Sequence, residues 1–210
     1  MANAELTNIQ KLQLTVKYGC DFILALLMLI PVTLIILILG GILYCDSPGP
    51  IFFKQQRLKR GGKLFVMYKL RTMTPGDHTR ITPRNPDGSL ALTEDLQGYT
   101  RFGKILRRLS LDELPQIFNI LKGDMSFVGP RPDLPEHRRL YTPVETLKLA
   151  VRPGITGLAQ AGGRNELPWK ERLILDVQYV RGYHLWLDIK IVVGTIGKVI
   201  SGKGVYASKR

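Results

Sequence analysis

Between Phe22 and Cys45 the chain carries about 24 consecutive residues without a formal charge, and Pro31 falls near the middle of them. A run of that length matches the hydrocarbon thickness of a bilayer, so a helix lodged in lipid is expected there. A proline inside a helix removes one backbone hydrogen bond, and its ring clashes with the preceding turn. Two arrangements follow: a kinked helix that spans the bilayer, or a helix-break-helix that enters and leaves by one face. Lys11 and Lys17 precede the run, while Lys54, Arg57, Lys59, Arg60 and Lys63 follow it. Basic flanks prefer the cytoplasmic side, so the stronger downstream flank goes inside in either arrangement. The upstream lysines lean toward re-entry, although spanning helices are the commoner solution and the residue pattern leaves both open. The run is too long for the core of a secretory signal and no small-residue cleavage site is obvious, so it is expected in the mature protein.

The remainder of a 210-residue chain suffices for one compact domain. A net charge of +13 points to anionic partners, among them lipid headgroups, nucleotide phosphates and nucleic acid. No nucleic-acid recognition motif accompanies that charge. Cys20 and Cys45 form neither a metal-ligand spacing nor a disulfide framework and are expected to be reduced packing residues.

Asp46-Ser-Pro-Gly-Pro50 reads as a turn. The β-rich runs Ile51–Arg57 and Leu64–Met73 flank Gly61-Gly62, which predicts a hairpin. Thr74 to Gly98 is polar and proline-containing, a long loop of the kind that is usually mobile or functional. Helical spacing predicts helices over Tyr99–Leu109, Leu114–Leu121 and Leu167–Gly182. Val151–Gly163 is glycine-rich and reads as a loop. Trp186–Ile200 mixes apolar residues with Lys190 and Lys198, which fits a helix on the bilayer surface or one packed in a core. The fold class expected is α+β, mainly helical.

Ser110-Leu-Asp-Glu-Leu-Pro115 holds two adjacent carboxylates, Asp112 and Glu113, where a helix is expected to begin. Ser110 and Glu113 have capping-box spacing, and acidic residues are favoured at a helix start, so both carboxylates have a purely structural reading. Their setting argues for chemistry. Arg107 and Arg108 lie just upstream, Arg131 sits between two prolines, and Arg152 and Arg164 bracket a glycine-rich stretch. Arginines held near carboxylates suit bidentate phosphate binding. A magnesium ion bridging carboxylate and pyrophosphate would let an anionic aspartate approach an anionic substrate, and a carboxylate can then act as nucleophile.

The motifs Asp46–Arg57, Tyr68-Lys-Leu-Arg-Thr-Met73, Leu106–Gln116, Asn119–Pro132 and Arg152–Gln160 occur in one order that resembles the monotopic phosphoglycosyl transferases, bacterial sugar transferases. The resemblance covers nearly the whole chain after its N-terminal tail. It implies a re-entrant membrane helix-break-helix at Pro31 within residues 1–46, and a cytoplasmic catalytic domain over 47–210 with a β-hairpin and interfacial amphipathic helices. It implies transfer of a sugar-1-phosphate from a UDP-sugar to undecaprenyl phosphate at the cytoplasmic face of the bacterial inner membrane, among its phospholipids, releasing UMP. Asp112 would be the nucleophile and hold Mg²⁺, Glu113 would act as acid/base or orienting carboxylate, and Arg107, Arg131 and Arg164 would bind phosphate or nucleotide. Family members often carry serine before the breaking proline, where this chain has Ile30. A basic lipid-binding module without chemistry, or a Mg²⁺-dependent hydrolase of nucleotide sugars, would share the same composition. No nucleic-acid partner is expected; a homo-oligomer is compatible with the sequence, which leaves the sugar and the glycan pathway open.

Overall fold

The computed structural model describes residues 6–74, 76, 98–163 and 167–201. Nearly all of the loop expected between Thr74 and Gly98 lies outside the described residues. The apolar run becomes part of one helix, α1 (Asn8–Asp46), with Pro31 inside it. Thr7 and Gln10 form a reciprocal capping box that starts it: the Gln10 N–H donates to Thr7 Oγ1 at 3.2 Å and the Thr7 N–H to Gln10 Oε1 at 3.0 Å. At about 1.5 Å per residue, α1 is long and apolar enough to cross a membrane.

The side chains that α1 buries form one stripe: Leu14, Lys17, Asp21, Ala25, Val32, Ile36, Gly40 and Leu43. That stripe rests on the rest of the protein from end to end. Near its start, Gln10 Nε2 donates to the Arg181 carbonyl at 2.9 Å and Tyr18 accepts the Arg152 N–H at 3.0 Å. Near its finish, Asp46 Oδ2 accepts the Phe102 N–H at 3.0 Å, and Arg71 Nε donates to the Pro50 carbonyl at 2.7 Å. Both ends of α1 are therefore fastened to the same domain. Away from the stripe, Leu27, Ile30, Leu37 and Ile38 are exposed, with no protein to cover them.

The hairpin forms as expected, with β1 (Phe52–Leu58) antiparallel to β2 (Leu64–Leu70) and Phe52 opposite Leu70. Gly61 and Gly62 make its turn at φ 74° and 71°, a region that costs glycine little. The free edge of β2 is closed by a side chain from α3 (Ile117–Leu121). Asn119, wholly buried, donates from Nδ2 to the Val66 carbonyl at 2.7 Å and accepts the Tyr68 N–H at 3.1 Å, in the manner of a neighbouring strand. Phe65, Met67 and Leu70 then join Leu106, Ile117, Ile120 and Met125 in a core against the second half of α1.

The stretch read from composition as a loop contains structure. Gly154–Thr156 forms β4, which pairs in parallel with β3 (Ser126–Val128), and Leu158–Gly162 forms the short helix α4. Its glycines are there because two backbones touch: a Cβ on Gly154 would lie 2.1 Å from the Gly129 nitrogen. Helices α2 (Arg101–Arg108) and α5 (Trp169–Arg181) fall where periodicity places them, while the helix expected from Leu114 begins only at Ile117; α6 (Leu185–Ser201) covers the mixed apolar and basic stretch. Helix α6 leaves Trp186, Ile189, Val193 and Ile196 exposed and buries Ile191 against Leu14 and Tyr183, a face suited to a bilayer surface. Cys20 and Cys45 are free, as expected, but exposed on α1 rather than packed.

Candidate active site

The carboxylate pair lies in a 3-10 turn, Leu111–Gln116, between α2 and α3. The expected capping box is absent. Ser110 adopts a left-handed conformation at φ 58°, its side chain makes no capping bond, and its carbonyl accepts the Glu113 N–H at 3.3 Å. Among the described residues it is the one non-glycine with positive φ, a conformation that costs about 1–2 kcal/mol. The bend reverses the chain after α2, so that Arg107 and Asp112 line one cleft.

That cleft is open to solvent and takes in about 790 Å³ with its mouth included. Lys69, Arg107, Ser110, Asp112, Glu113 and Arg131 line it together. Of the residues expected to serve the site beside Asp112, Arg107, Glu113 and Arg131 are thus brought together; Arg164 lies outside the described residues. Arg152 belongs elsewhere, its guanidinium 4.1 Å from the centre of the Tyr18 ring beneath α1.

Lys69 was not distinguishable by its residue type, yet it is the centre of the site. Its Nζ is 2.6 Å from Glu113 Oε1 and 3.9 Å from Asp112 Oδ2. The Asn119 clamp on Tyr68 holds β2 in the register that delivers it. Arg131 Nη1 approaches Glu113 Oε1 at 3.5 Å. Burial alone would raise the Glu113 carboxyl, but Lys69 and Arg131 outweigh it and hold its pKa at about 2. Asp112 moves the other way. Burial pushes its carboxyl up, Lys69 at the longer distance offsets only part of this, and the neighbouring Glu113 charge adds to the rise.

The Arg131 loop is anchored from both sides. The Gly129 N–H donates to the Thr156 carbonyl at 2.8 Å, and Arg57 Nη1 donates to the Pro132 carbonyl at 3.2 Å. Below it, Lys148 Nζ bridges Asp133 at 2.6 Å and Asp176 at 2.8 Å, and the Tyr141 hydroxyl donates to Asp133 at 2.6 Å. Burial would raise Asp133, but Lys148 and these hydrogen bonds hold it well below the usual carboxylate range. Arg131 therefore projects from a rigid support at little entropic cost on binding.

Among the described residues no cluster of three or more His, Cys, Asp or Glu side chains forms a closed metal cage. The cleft instead offers the hard oxygens of Asp112, and magnesium commonly binds through one or two carboxylates plus substrate phosphates. The donor chemistry fits such a shared ion.

Residues 12–202 match the family described as bacterial sugar transferase, which is nearly all of this chain. The chain belongs to that family. Among its relatives, this bacterial sugar transferase is 40% identical over 185 residues to the uncharacterized sugar transferase EpsL of Bacillus subtilis, covering 88% of this chain and 87% of that one. It is 41% identical over 194 residues to the UDP-glucose:undecaprenyl-phosphate glucose-1-phosphate transferase of Xanthomonas campestris pv. campestris, covering 89% of this chain and 39% of that one. To the undecaprenyl-phosphate galactose phosphotransferase of Salmonella typhimurium it is 37% identical over 166 residues, covering 75% of this chain and 35% of that one. The chain thus spans well under half the length of these last two relatives.

Proposed function

We propose that this bacterial sugar transferase moves a sugar-1-phosphate from a UDP-sugar to undecaprenyl phosphate, releasing UMP, in the assembly of a surface polysaccharide. The observation that carries the reading is the cleft itself. A buried aspartate lies beside one lysine and two arginines, in a chain with relatives named for such a transfer.

The reaction proceeds by two displacements. An Asp112 carboxylate oxygen forms a bond to the phosphorus that carries the sugar, and the bond from that phosphorus to the bridging oxygen breaks, so that UMP departs with the electron pair. An oxygen of undecaprenyl phosphate then attacks the same phosphorus, and the bond to Asp112 breaks to restore the carboxylate. Neither displacement demands a net proton. Glu113, held ionised at about 2, is a poor acid or base near neutral pH, so it acts as the orienting carboxylate that fixes Lys69 and Arg131. Those cations, with Arg107, neutralise charge building on the transferred phosphoryl oxygens. Asp112 and the substrate phosphates would together hold Mg²⁺, which when bound supplies further charge neutralisation.

In this reading the protein enters and leaves the membrane by one face, with the domain on the cytoplasmic side of the inner membrane; α1 runs unbroken through Pro31, so the expected helix-break-helix would require it to bend there in lipid. The attachment of both ends of α1 to one domain supports it, because a helix that delivered Asn8 to the far side would surrender the contacts of Gln10, Tyr18 and Lys17. The exposed apolar face of α6 would lie in the same interface and bring Asp112 within reach of a lipid phosphate.

Intact-mass measurement of the purified protein with a turned-over UDP-sugar, lipid withheld, is expected to show a phosphosugar adduct on Asp112 that is lost in Asp112→Asn. Turnover without any adduct, or near-normal turnover by Asp112→Asn, would remove the covalent step.

A further inference from the structure

One wall of the cleft, built by β4, α4 and α6, is chemically unlike the cluster around Asp112. Ile155, Ala159 and Val199 make much of it apolar, the hydroxyls of Thr156 and Thr195 lie 2.5 Å apart and satisfy each other, and Arg172 of α5 lines the same cleft. Gln160 stands among them. It is only 8% exposed, and neither Oε1 nor Nε2 has a hydrogen-bond partner among the described residues. A buried primary amide left unpaired at both ends costs about 1–3 kcal/mol for each group. A side chain kept there at that cost, and lining an open cleft, is explained if a ligand completes it.

The ligand chemistry follows from what an amide needs. It offers donors at Nε2 and an acceptor at Oε1, side by side. An ionised phosphate presents only acceptors and would leave Oε1 unpaired against another oxygen. The partner must carry a donor next to an acceptor. A sugar does so, but brings several hydroxyls, while on this wall Ile155, Ala159 and Val199 offer none a partner and the Thr156 and Thr195 hydroxyls are already bonded to each other. A pyrimidine imide presents one hydrogen-bonding edge, N–H beside C=O, and two flat apolar faces.

We infer that Gln160 reads the imide edge of the uracil ring, through paired hydrogen bonds to N3–H and an adjacent carbonyl. The assignment rests on the UDP-sugar reading above. It makes this wall the nucleoside side of the cleft and the Lys69–Arg131 cluster its phosphate side. The closeness of α4 to the strand pair is part of the device. Gly157, at the foot of α4, would put a Cβ 2.2 Å from the Gly129 carbonyl oxygen and 3.0 Å from Gln160 Oε1, so a larger residue would displace the amide.

The test uses the full chain in nanodiscs and measures binding of UMP and of N3-methyl-UMP by titration calorimetry. The wild-type protein is expected to prefer UMP by about tenfold or more, the worth of one buried hydrogen bond and the group it leaves unpaired. In Gln160→Leu, UMP is expected to bind about tenfold more weakly and the preference to fall to near one. Because leucine removes two unpaired polar atoms, the melting temperature of the free variant should stay level or rise; a merely structural glutamine would lower it. If Gln160→Leu keeps the preference for UMP, the inference is wrong while the transfer reaction stands. If the variant loses affinity for the UDP-sugar but not for UMP, the amide contacts the sugar and the assignment to uracil fails. A wild-type protein that neither binds nor releases UMP would overturn both the inference and the reading beneath it.

Discussion

Replacing Lys17 with methionine tests whether α1 is held to the domain by charge as well as by apolar packing. Lys17 is 5% exposed, with Nζ 2.8 Å from Asp188 Oδ2 and 3.6 Å from Asp21 Oδ2. Asp21 in turn accepts the Ser126 hydroxyl at 2.6 Å, and the Tyr179 hydroxyl donates to Asp188 at 2.8 Å. Methionine fills much the same volume but leaves buried Asp21 and partly buried Asp188 without their shared cation. Removing one partner of such a buried group costs about 3–5 kcal/mol. For a domain of this size each kcal/mol lowers the melting temperature by about 2–4 °C, so a fall of roughly 6–20 °C is expected. Thermal unfolding of the nanodisc-embedded protein, followed by the fluorescence of Trp169 and Trp186, reads it. The double variant Lys17→Met with Asp188→Asn should recover about 1 kcal/mol or more, since one stranded charge is gone. A melting temperature within about 2 °C of wild type for Lys17→Met would show that lipid or water satisfies these carboxylates and that the clamp holds nothing.

The acid limb of activity should report Asp112, whose ionised form attacks and whose carboxyl is raised by burial, so activity falls as pH drops through its pKa. Glu113→Gln removes a neighbouring negative charge and is expected to move that limb to lower pH, whereas Lys69→Met should move it to higher pH; limbs that shift together would refute the assignment. Asn119→Ala strips both hydrogen bonds from the edge of β2 and should cost about 2–4 kcal/mol by chemical unfolding. It should also depress kcat, because Lys69 loses its register, and unchanged kcat would separate the strand edge from the site. Gly154→Ala forces a Cβ to 2.1 Å from the Gly129 nitrogen, so loss of soluble folded yield is expected, against little change for Gly41→Ala, where nothing lies within 4 Å. Chelation of divalent cations should abolish the adduct on Asp112 with the melting temperature little altered; adduct formation in excess chelator would remove magnesium from the reading.

Much of the architecture is legible in the sequence, because it is written in patterns a few residues long. The uncharged run announces α1, the β-rich runs around Gly61-Gly62 announce the hairpin, helical spacing places α2 and α5 to within a few residues, and composition marks α6. Arg131 between two prolines and the adjacent carboxylates stood out for the same reason: their stiffness and charge are local properties. The misreadings have local causes too. Strands β3 and β4 are three residues each, too short to show an alternation, and their glycines mark the contact of two backbones rather than a loop. Ser110 has the spacing of a capping residue, but its left-handed bend takes its side chain out of that role.

What only the tertiary structure decided is which distant groups share a cation or an unpaired atom. Lys69 and Glu113 are 44 residues apart and meet because Asn119 closes the strand between them. Lys17 and Asp188 meet because α1 lies back along the domain, which makes an apparent membrane flank part of a buried network. Whether Gln160 is satisfied likewise depends on neighbours drawn from β4, α4 and α6. Periodicity reports which face of an element is apolar; it carries no information about what packs on that face, since desolvation and pairing energies arise only when separate segments come together.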